Sequence, residues 1–230
     1  MNGFREELIK SLSGINGDFI IYESTDKEIS KLQQAYPDAK IVKNYQQRVI
    51  TTNDRGIEGL LMKSMTIEDF YKIPRLNENL FEIENIEESW VFIGTELASS
   101  LDVKVGDSLQ ISIPGSSMTI LGPVLNSHML QIKGIFNTGI YDYDKYFIYS
   151  NENYFKDISD YPVFEVYEGN TKVDPKDLSP MIYDTWSDQN KSLAQALATE
   201  KNVMFIILFF IILISSFTII SNQIFFIKEK

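Results

Sequence analysis

Val203 to Ile227 reads VMFIILFFIILISSFTIISNQIFFI, 25 positions without a charge, bracketed by Glu200 and Lys201 on one side and by Lys228, Glu229 and Lys230 on the other. Coiled into a helix, such a run rises about 37 Å, enough to cross the roughly 30 Å hydrocarbon core of a bilayer with some tilt. A helix buried in a soluble core is the alternative, and an uncharged run of this length fits it poorly. The sequence therefore predicts a transmembrane helix at 203–227, a short charged end at 228–230, and everything upstream on one side of a membrane.

What precedes the run is about 200 residues, room for one substantial domain or two small ones. Of the 21 Lys+Arg and 32 Asp+Glu, all but Lys228, Glu229 and Lys230 fall there, so this region is strongly acidic. That argues against nucleic acid as a partner and against a domain lying on anionic lipid. Lys228 and Lys230 favour a cytoplasmic C-terminus although Lys201 opposes them, and the balance places the acidic region outside the cytoplasm. The chain has no cysteine, so no disulfide contributes. Met1 to Leu12 shows neither an apolar export region nor a small-residue cleavage site, which leads us to expect that Met1 is not the native start.

Along the chain, Phe4, Leu8, Ile9 and Leu12 form one face of a short helix ended by Gly14. Asp18 to Ser24 is a strand candidate, followed by a polar helix from Thr25 to Tyr36 with Thr25 and Glu28 placed as a capping box. Ala39 to Tyr45, Gln47 to Thr52 and Ile57 to Met65 read as strands, the last two joined by a turn at Asn53–Gly56. Thr66 to Tyr71 is a helical turn, and Asn77 to Glu88 an acidic connector. Trp90 to Ile93 opens a second unit in which Thr95 caps a helix through Ser100 and Leu109, Ile111 and Ile113 alternate as in a half-buried strand. Pro114 to Ser127 is a Gly/Pro/Ser-rich excursion, and Met129–Phe136 and Lys145–Tyr149 are strands around a turn at 137–144. This middle third reads as a small open barrel or sandwich inserted into an α/β unit completed by Pro162–Tyr167 and Met181–Asp184. From about Asp188 to Lys230 no Gly or Pro interrupts a long helix.

Catalytic signatures are missing from the sequence. Gly59-Leu-Leu-Met-Lys63-Ser64 lacks the glycine that a phosphate-binding loop needs before its lysine. His128 is the sole histidine, so a His-based metal site or triad has no second member. Asp142 and Asp144 lack the glycine turn and terminal glutamate of a calcium loop and read as a solvated turn. The apolar segment Met118–Leu125 inside the Gly/Pro-punctuated excursion is either a plug packed on the barrel or a docking surface for a partner. Ser215, Ser216, Asn222 and Gln223 suit contacts with other membrane helices, and Asn222 and Gln223 equally suit the membrane interface.

Taken in order, these segments resemble the LolC/LolE-type lipoprotein-releasing permeases, within the MacB/FtsX-like class of ABC transporter membrane subunits. Met1-Asn2-Gly3-Phe4 is similar to the point where that family's first transmembrane helix leaves the membrane. Ile93-Gly94-Thr95-Glu96-Leu97-Ala98, followed by Leu101-Asp-Val-Lys-Val105-Gly106-Asp107, resembles its GxxLAxxLgvxxGD stretch. Gly134-Ile135-Phe136 with Tyr141–Asp144 resembles its GiF…yeyD segment. Trp186, Ala196-Leu197, Glu200–Asn202, Phe217–Ser221 and Glu229-Lys230 look like its last periplasmic helix and second transmembrane helix.

The resemblance implies an α+β fold: a discontinuous Porter-like α/β subdomain (14–88 and 162–187) with an inserted, mostly-β Sabre-like subdomain (89–161). Residues 1–13 would end a membrane-proximal helix, 188–202 would be a stalk and 228–230 the cytoplasmic end. It implies a non-catalytic bacterial inner-membrane subunit, with residues before about 203 in the periplasm. ATP and Mg would be bound by a cytoplasmic ABC ATPase, and this chain would carry no cofactor. Further partners would be a second permease subunit, identical or paralogous, a periplasmic lipoprotein carrier and the lipoprotein substrates. Carried over by position, Thr119, Ile120, Leu121, Gly122, Pro123, Val124 and Leu125 fall where LolC-type members place a carrier-docking hairpin, and the short return from Val163 to Trp186 is closer to LolC-like than to LolE-like chains. Met1 and Phe4 would lie near the lipoprotein cavity. The chain lacks the family's first helix and its last two, so a reading truncated at both ends is expected. A MacB-like efflux or FtsX-like signalling subunit, or a single-pass tethered sensor domain, are the alternatives.

Overall fold

The computed structural model describes residues 14–53, 56–81, 83, 90–119, 122–154 and 161–228. Its elements run β1 (Phe19–Tyr22), α1 (Asp26–Ala35), β2 (Lys40–Asn53), β3 (Gly56–Met65), α2 (Ile67–Lys72), α3 (Pro74–Glu78), β4 (Leu80–Phe81), β5 (Val91–Gly94) and α4 (Thr95–Leu101). There follow β6 (Ser108–Thr119), β7 (Gly122–Phe136), α5 (Tyr141–Tyr146), β8 (Phe147–Asn151), β9 (Val163–Tyr167), β10 (Ile182–Thr185), α6 (Trp186–Gln189) and α7 (Lys191–Lys228). The fold is α+β, with a mixed sheet and one long apolar helix at the C-terminal end.

The long strand β2 belongs to two sheets at once. Lys40–Asn44 pair with β9 and complete an open antiparallel sheet in the order β10-β1-β9-β2. Tyr45–Asn53 pair with β3, while Ile50 and Thr51 pair with Ser112 and Ile111 of β6. The ring β2-β3-β8-β5-β7-β6 thus returns to β2, so the strands of the middle third are not an open barrel of their own, as expected, but close a barrel together with β2 and β3. Closure satisfies backbone groups that an open edge would leave to solvent or to another chain. The β3–β8 and β5–β7 pairs are parallel, so neither can be joined by a tight turn, and other elements lie between the two strands of each pair.

Three apolar cores follow from the alternation of side chains along these strands. The barrel is filled by Val49, Met62, Ile93, Ile111, Ile132 and Ile148 with their neighbours, and α4 adds Leu97 and Leu101. On one face of the open sheet, Ile29 and Leu32 of α1 pack on Phe19, Ile21, Ile41 and Val166. The opposite face of the same strands carries Val42 and Tyr167 into an aromatic core with Phe70, Trp90, Phe92, Phe136 and Tyr149. The Phe70 ring meets those of Trp90, Phe92 and Tyr149 at centroid separations of 5.9, 4.8 and 5.5 Å.

Several local readings hold and others change. Thr25 caps α1 as predicted: its hydroxyl accepts from the Glu28 amide, and Glu28 Oε2 accepts from the Thr25 amide at 2.9 Å. Thr66 does the same for α2, accepting from the Asp69 amide at 3.1 Å. Thr95 does not cap α4; it is the first helical residue, after Gly94, which holds the cap position without a side-chain bond. Residues 14–16 are helical, so Gly14 does not end a helix; the helical turn stops before Gly17, whose φ of +70° a side chain would resist. Its predicted earlier face, Phe4 to Leu12, lies outside the described residues. Residues 141–146 form α5 rather than a turn. Asp144, nearly fully buried, accepts from the Thr138 amide and hydroxyl and from the Gly139 amide at 2.7, 2.8 and 3.1 Å, closing the preceding loop.

Residues from Ser187 onward form a unit of their own. The long helix begins at Lys191, not at Asp188, because Asn190 interrupts it and caps α7 through its carbonyl, which accepts from the Ala194 amide at 2.8 Å. The 38 residues of α7 rise about 57 Å. Within it, Ala194–Phe225 is long and apolar enough to cross a membrane, its most apolar 18-residue window having a mean hydropathy of 3.0. Ser215, Ser216 and Thr218 donate to the carbonyls of Ile211, Ile212 and Ile214 at 2.8, 2.9 and 3.0 Å, so their hydroxyls are satisfied within the helix.

Candidate functional site

Of the excursion at 114–127, read as a loop from its composition and as a hairpin from the resemblance, residues 114–119 and 122–127 lie in the paired strands β6 and β7. Up to the Ile113–Asn126 pair this ladder belongs to the barrel, with Leu109, Ile111, Leu130 and Ile132 turned into its core. Ser112 Oγ and Ser127 Oγ lie 2.8 Å apart across the strands at this level. The register then shifts, and the next pair is Ser117–Val124, so residues 114–116 stand opposite 125 alone. Pro114 has no N–H to give to a ladder, and Gly115 beside it tolerates the irregular backbone of a bulge. Beyond the bulge, Ser117–Thr119 pair with Gly122–Val124 and, among the described pairings, with no other strand.

The result is a two-stranded arm that leaves the barrel. From Ile113 to Thr119 it extends roughly 20 Å at strand spacing. Thr119 ends β6 and stands opposite Gly122, while Gly122, Pro123, Val124 and Leu125 begin β7. Of the predicted docking residues, Thr119, Gly122, Pro123, Val124 and Leu125 therefore share the far end of one hairpin. Ile120 and Leu121 lie outside the described residues, as do Met1 and Phe4.

A second feature escaped the sequence reading. Lys63 of β3 and Glu165 of β9 form an ion pair at 2.7 Å with side chains 2% and 0% exposed. Met62 and Lys63 point to opposite faces of β3, so Met62 fills the barrel while Lys63 meets the open sheet. Lys63 Nζ also donates to Asn16 Oδ1 at 2.9 Å and lies 5.5 Å from the centre of the Phe147 ring. Asn16 Nδ2 donates to the Tyr143 hydroxyl at 2.8 Å, and Gln46 Nε2 donates to Glu165 Oε1 at 3.3 Å. The Tyr167 hydroxyl lies 2.8 Å from Glu165 Oε2 and 2.9 Å from the Ile15 carbonyl oxygen, so two acceptors share its one proton. Burial first, and then the Glu165 charge, push the Tyr167 hydroxyl well above its ordinary pKa and that of Tyr143 up to about 12. Removing one member of a buried pair of this kind costs about 3–5 kcal/mol, because the other charge is left in a site that water cannot reach. The signal in the sequence was a single charge inside each of two apolar runs, LLMKSM and VFEVY.

No protein-family model matches the chain. In sequence it is 23% identical to the lipoprotein-releasing system transmembrane protein LolC of Neisseria meningitidis serogroup B, a match covering all of this chain and 61% of that protein. The LolC protein of Xylella fastidiosa strain Temecula1 is 26% identical over 61% of this chain and 37% of its own length. The chain thus spans about three-fifths of the length of the first of these relatives. Among solved structures, the extracellular domain of the noncanonical ABC-type transporter YknZ of Gram-positive bacteria superposes with a TM-score of 0.42 at 12% identity, over 66% of this chain and 83% of that one. A permease-protein domain from Porphyromonas gingivalis gives 0.38 at 12% identity, over 69% of this chain and 66% of that one. In sequence the chain is LolC-like, similar along its whole length to one transmembrane protein of that name and over 61% of its length to another.

Proposed function

We propose that the chain is part of a permease subunit of an ABC transporter that releases lipoproteins from the bacterial inner membrane and passes them to a periplasmic carrier. The observation that carries this reading is the whole-length likeness to LolC. The arm at 117–124 supports the docking assignment within it. In this reading α7 crosses the inner membrane, residues before about 203 lie in the periplasm, and the region divides into Porter-like (14–88, 162–187) and Sabre-like (89–161) parts. A cytoplasmic ABC ATPase binds ATP and Mg, a second permease subunit completes the membrane unit, and this chain performs no chemistry of its own. The carrier docks on the far end of the arm, Thr119 to Leu125, and Met1 and Phe4 face the lipoprotein cavity.

The test is binding of purified periplasmic lipoprotein carrier to the full chain in lipid nanodiscs. Ile120→Asp and Leu121→Asp together should weaken the carrier at least about tenfold, equivalent to about 1.4 kcal/mol, without lowering the melting temperature. Unchanged affinity would remove the docking assignment. Capture of an outer-membrane channel adaptor or a cell-wall hydrolase activator in place of the carrier would move the chain to the efflux or signalling branch of the same class.

A further inference from the structure

We propose that Asn16, Lys63 and Glu165 form a releasable latch that fastens the segment leading into β1, residues 14–17, to both the barrel and the open sheet. The segment is gripped at three points. The Asn16 carboxamide accepts from Lys63 on a barrel strand and donates to Tyr143 on α5. The Ile15 carbonyl faces the Tyr167 hydroxyl of the open sheet, and the Ile15 side chain is fully buried. A Cβ on Gly17 would meet the Val166 carbonyl oxygen at 3.1 Å and Glu165 Cβ at 3.3 Å, so the backbone turns directly against the ion pair.

Why a polar grip matters follows from the alternatives. An apolar plug of the same volume would hold the segment without the cost of dehydrating two charges, and such replacements are often neutral or stabilising. Lys63–Glu165 is the one ion pair among the described residues with both side chains almost wholly buried; Lys145–Glu58, the next most sheltered, leaves Glu58 31% exposed. Parting residues 14–17 from the cluster exchanges the Asn16 hydrogen bonds for bonds to water and uncovers one buried apolar side chain, Ile15, while Lys63 and Glu165 stay paired. The latch also stands where the chain leaves the same unit: the Trp186 amide donates to the Asp18 carbonyl at 3.0 Å, so β10 ends beside the start of β1. A pull on residues 14–17 therefore meets Lys63, Glu165 and the burial of Ile15 before it reaches the three apolar cores. This device does not depend on the transport reading, since carrier binding at the arm can fail with the latch intact.

Hydrogen exchange of the full chain in nanodiscs, resolved by mass spectrometry, tests it. Asn16→Ala, which leaves the ion pair in place, should speed exchange at residues 15–18 at least tenfold while β3 and β8 change less than twofold. The double variant Lys63→Met with Glu165→Leu should release the same residues with the barrel still protected. Exchange at 15–18 that is unchanged in both variants would overturn the proposal. So would exchange that rises equally in β3 and β8, because the cluster would then be ordinary core.

Discussion

Tyr149 lies in the aromatic core with its hydroxyl buried and without a hydrogen-bond partner among the described residues. Replacing it with Phe removes that unpaired group and keeps the ring contacts with Phe70 and Phe136. Tyr149→Phe should therefore raise stability by about 1 kcal/mol, read as a higher urea midpoint at pH 8. The same residue predicts an alkaline limit. Burial, and then the Glu165 charge, hold the Tyr149 and Tyr167 hydroxyls well above their ordinary pKa. Unfolded tyrosines lose their protons near pH 10, so from about that pH upward the unfolded state binds fewer protons than the folded one. Stability contributed by these groups is full below about pH 10 and falls as pH rises toward the folded values; the loss between pH 8 and 11 should be shallower in Tyr149→Phe. Gly94 is as exacting for a steric reason. A Cβ there would collide with the backbone of Asp144, whose carboxylate closes the 138–140 loop. Gly94→Ala should cost about 3 kcal/mol in the same denaturation experiment, as overpacking against backbone does.

Barrel and arm share two strands but contribute differently to stability. Ile132 is fully buried in a barrel core drawn from seven elements, whereas the described arm beyond Ile113 pairs only with itself. Ile132→Ala should lower stability by about 2–5 kcal/mol. Replacing residues 114–125 with Asn-Gly, which would join the paired Ile113 and Asn126 through a two-residue turn, should change it by less than about 0.5 kcal/mol. If the shortened chain unfolds as readily as Ile132→Ala, the arm is structural. Local chemistry explains what was legible here. The Thr25–Glu28 box, the alternation of Leu109, Ile111 and Ile113 and the helical turn after Thr66 are each written within a few residues of one another. Pro114 and Gly115 broke the strand pattern, so the excursion read as a loop although the ladder resumes two residues beyond them. Lys63 and Glu165 are 102 positions apart, and the barrel closes where Ile50 of β2 meets Ser112 of β6, also far along the chain, so neither the ion pair nor the closure has a local signature.

At the scale of the whole molecule, all three apolar cores are drawn from residues preceding Ser187, while α7 shows apolar side chains around its circumference from Val203 to Ile227. An exposed apolar surface of that size is not tolerated by a monomer in water. The folded unit also carries most of the charge of an acidic chain with a pI of about 4.6, which keeps it soluble by self-repulsion. Separation of the two properties leads to a specific expectation. A chain ending at Trp186 should remain monomeric without detergent and keep the near-UV circular dichroism and melting temperature that the full chain shows in nanodiscs. The full chain, transferred to detergent-free buffer, should associate through α7. Were the shortened chain to lose its near-UV signal, α7 would be required for folding, and the unit at 2–186 would not be self-sufficient. Were the full chain to stay monomeric in water, its uncharged run would have found cover in the protein, and the membrane assignment of 203–227 would fall with it.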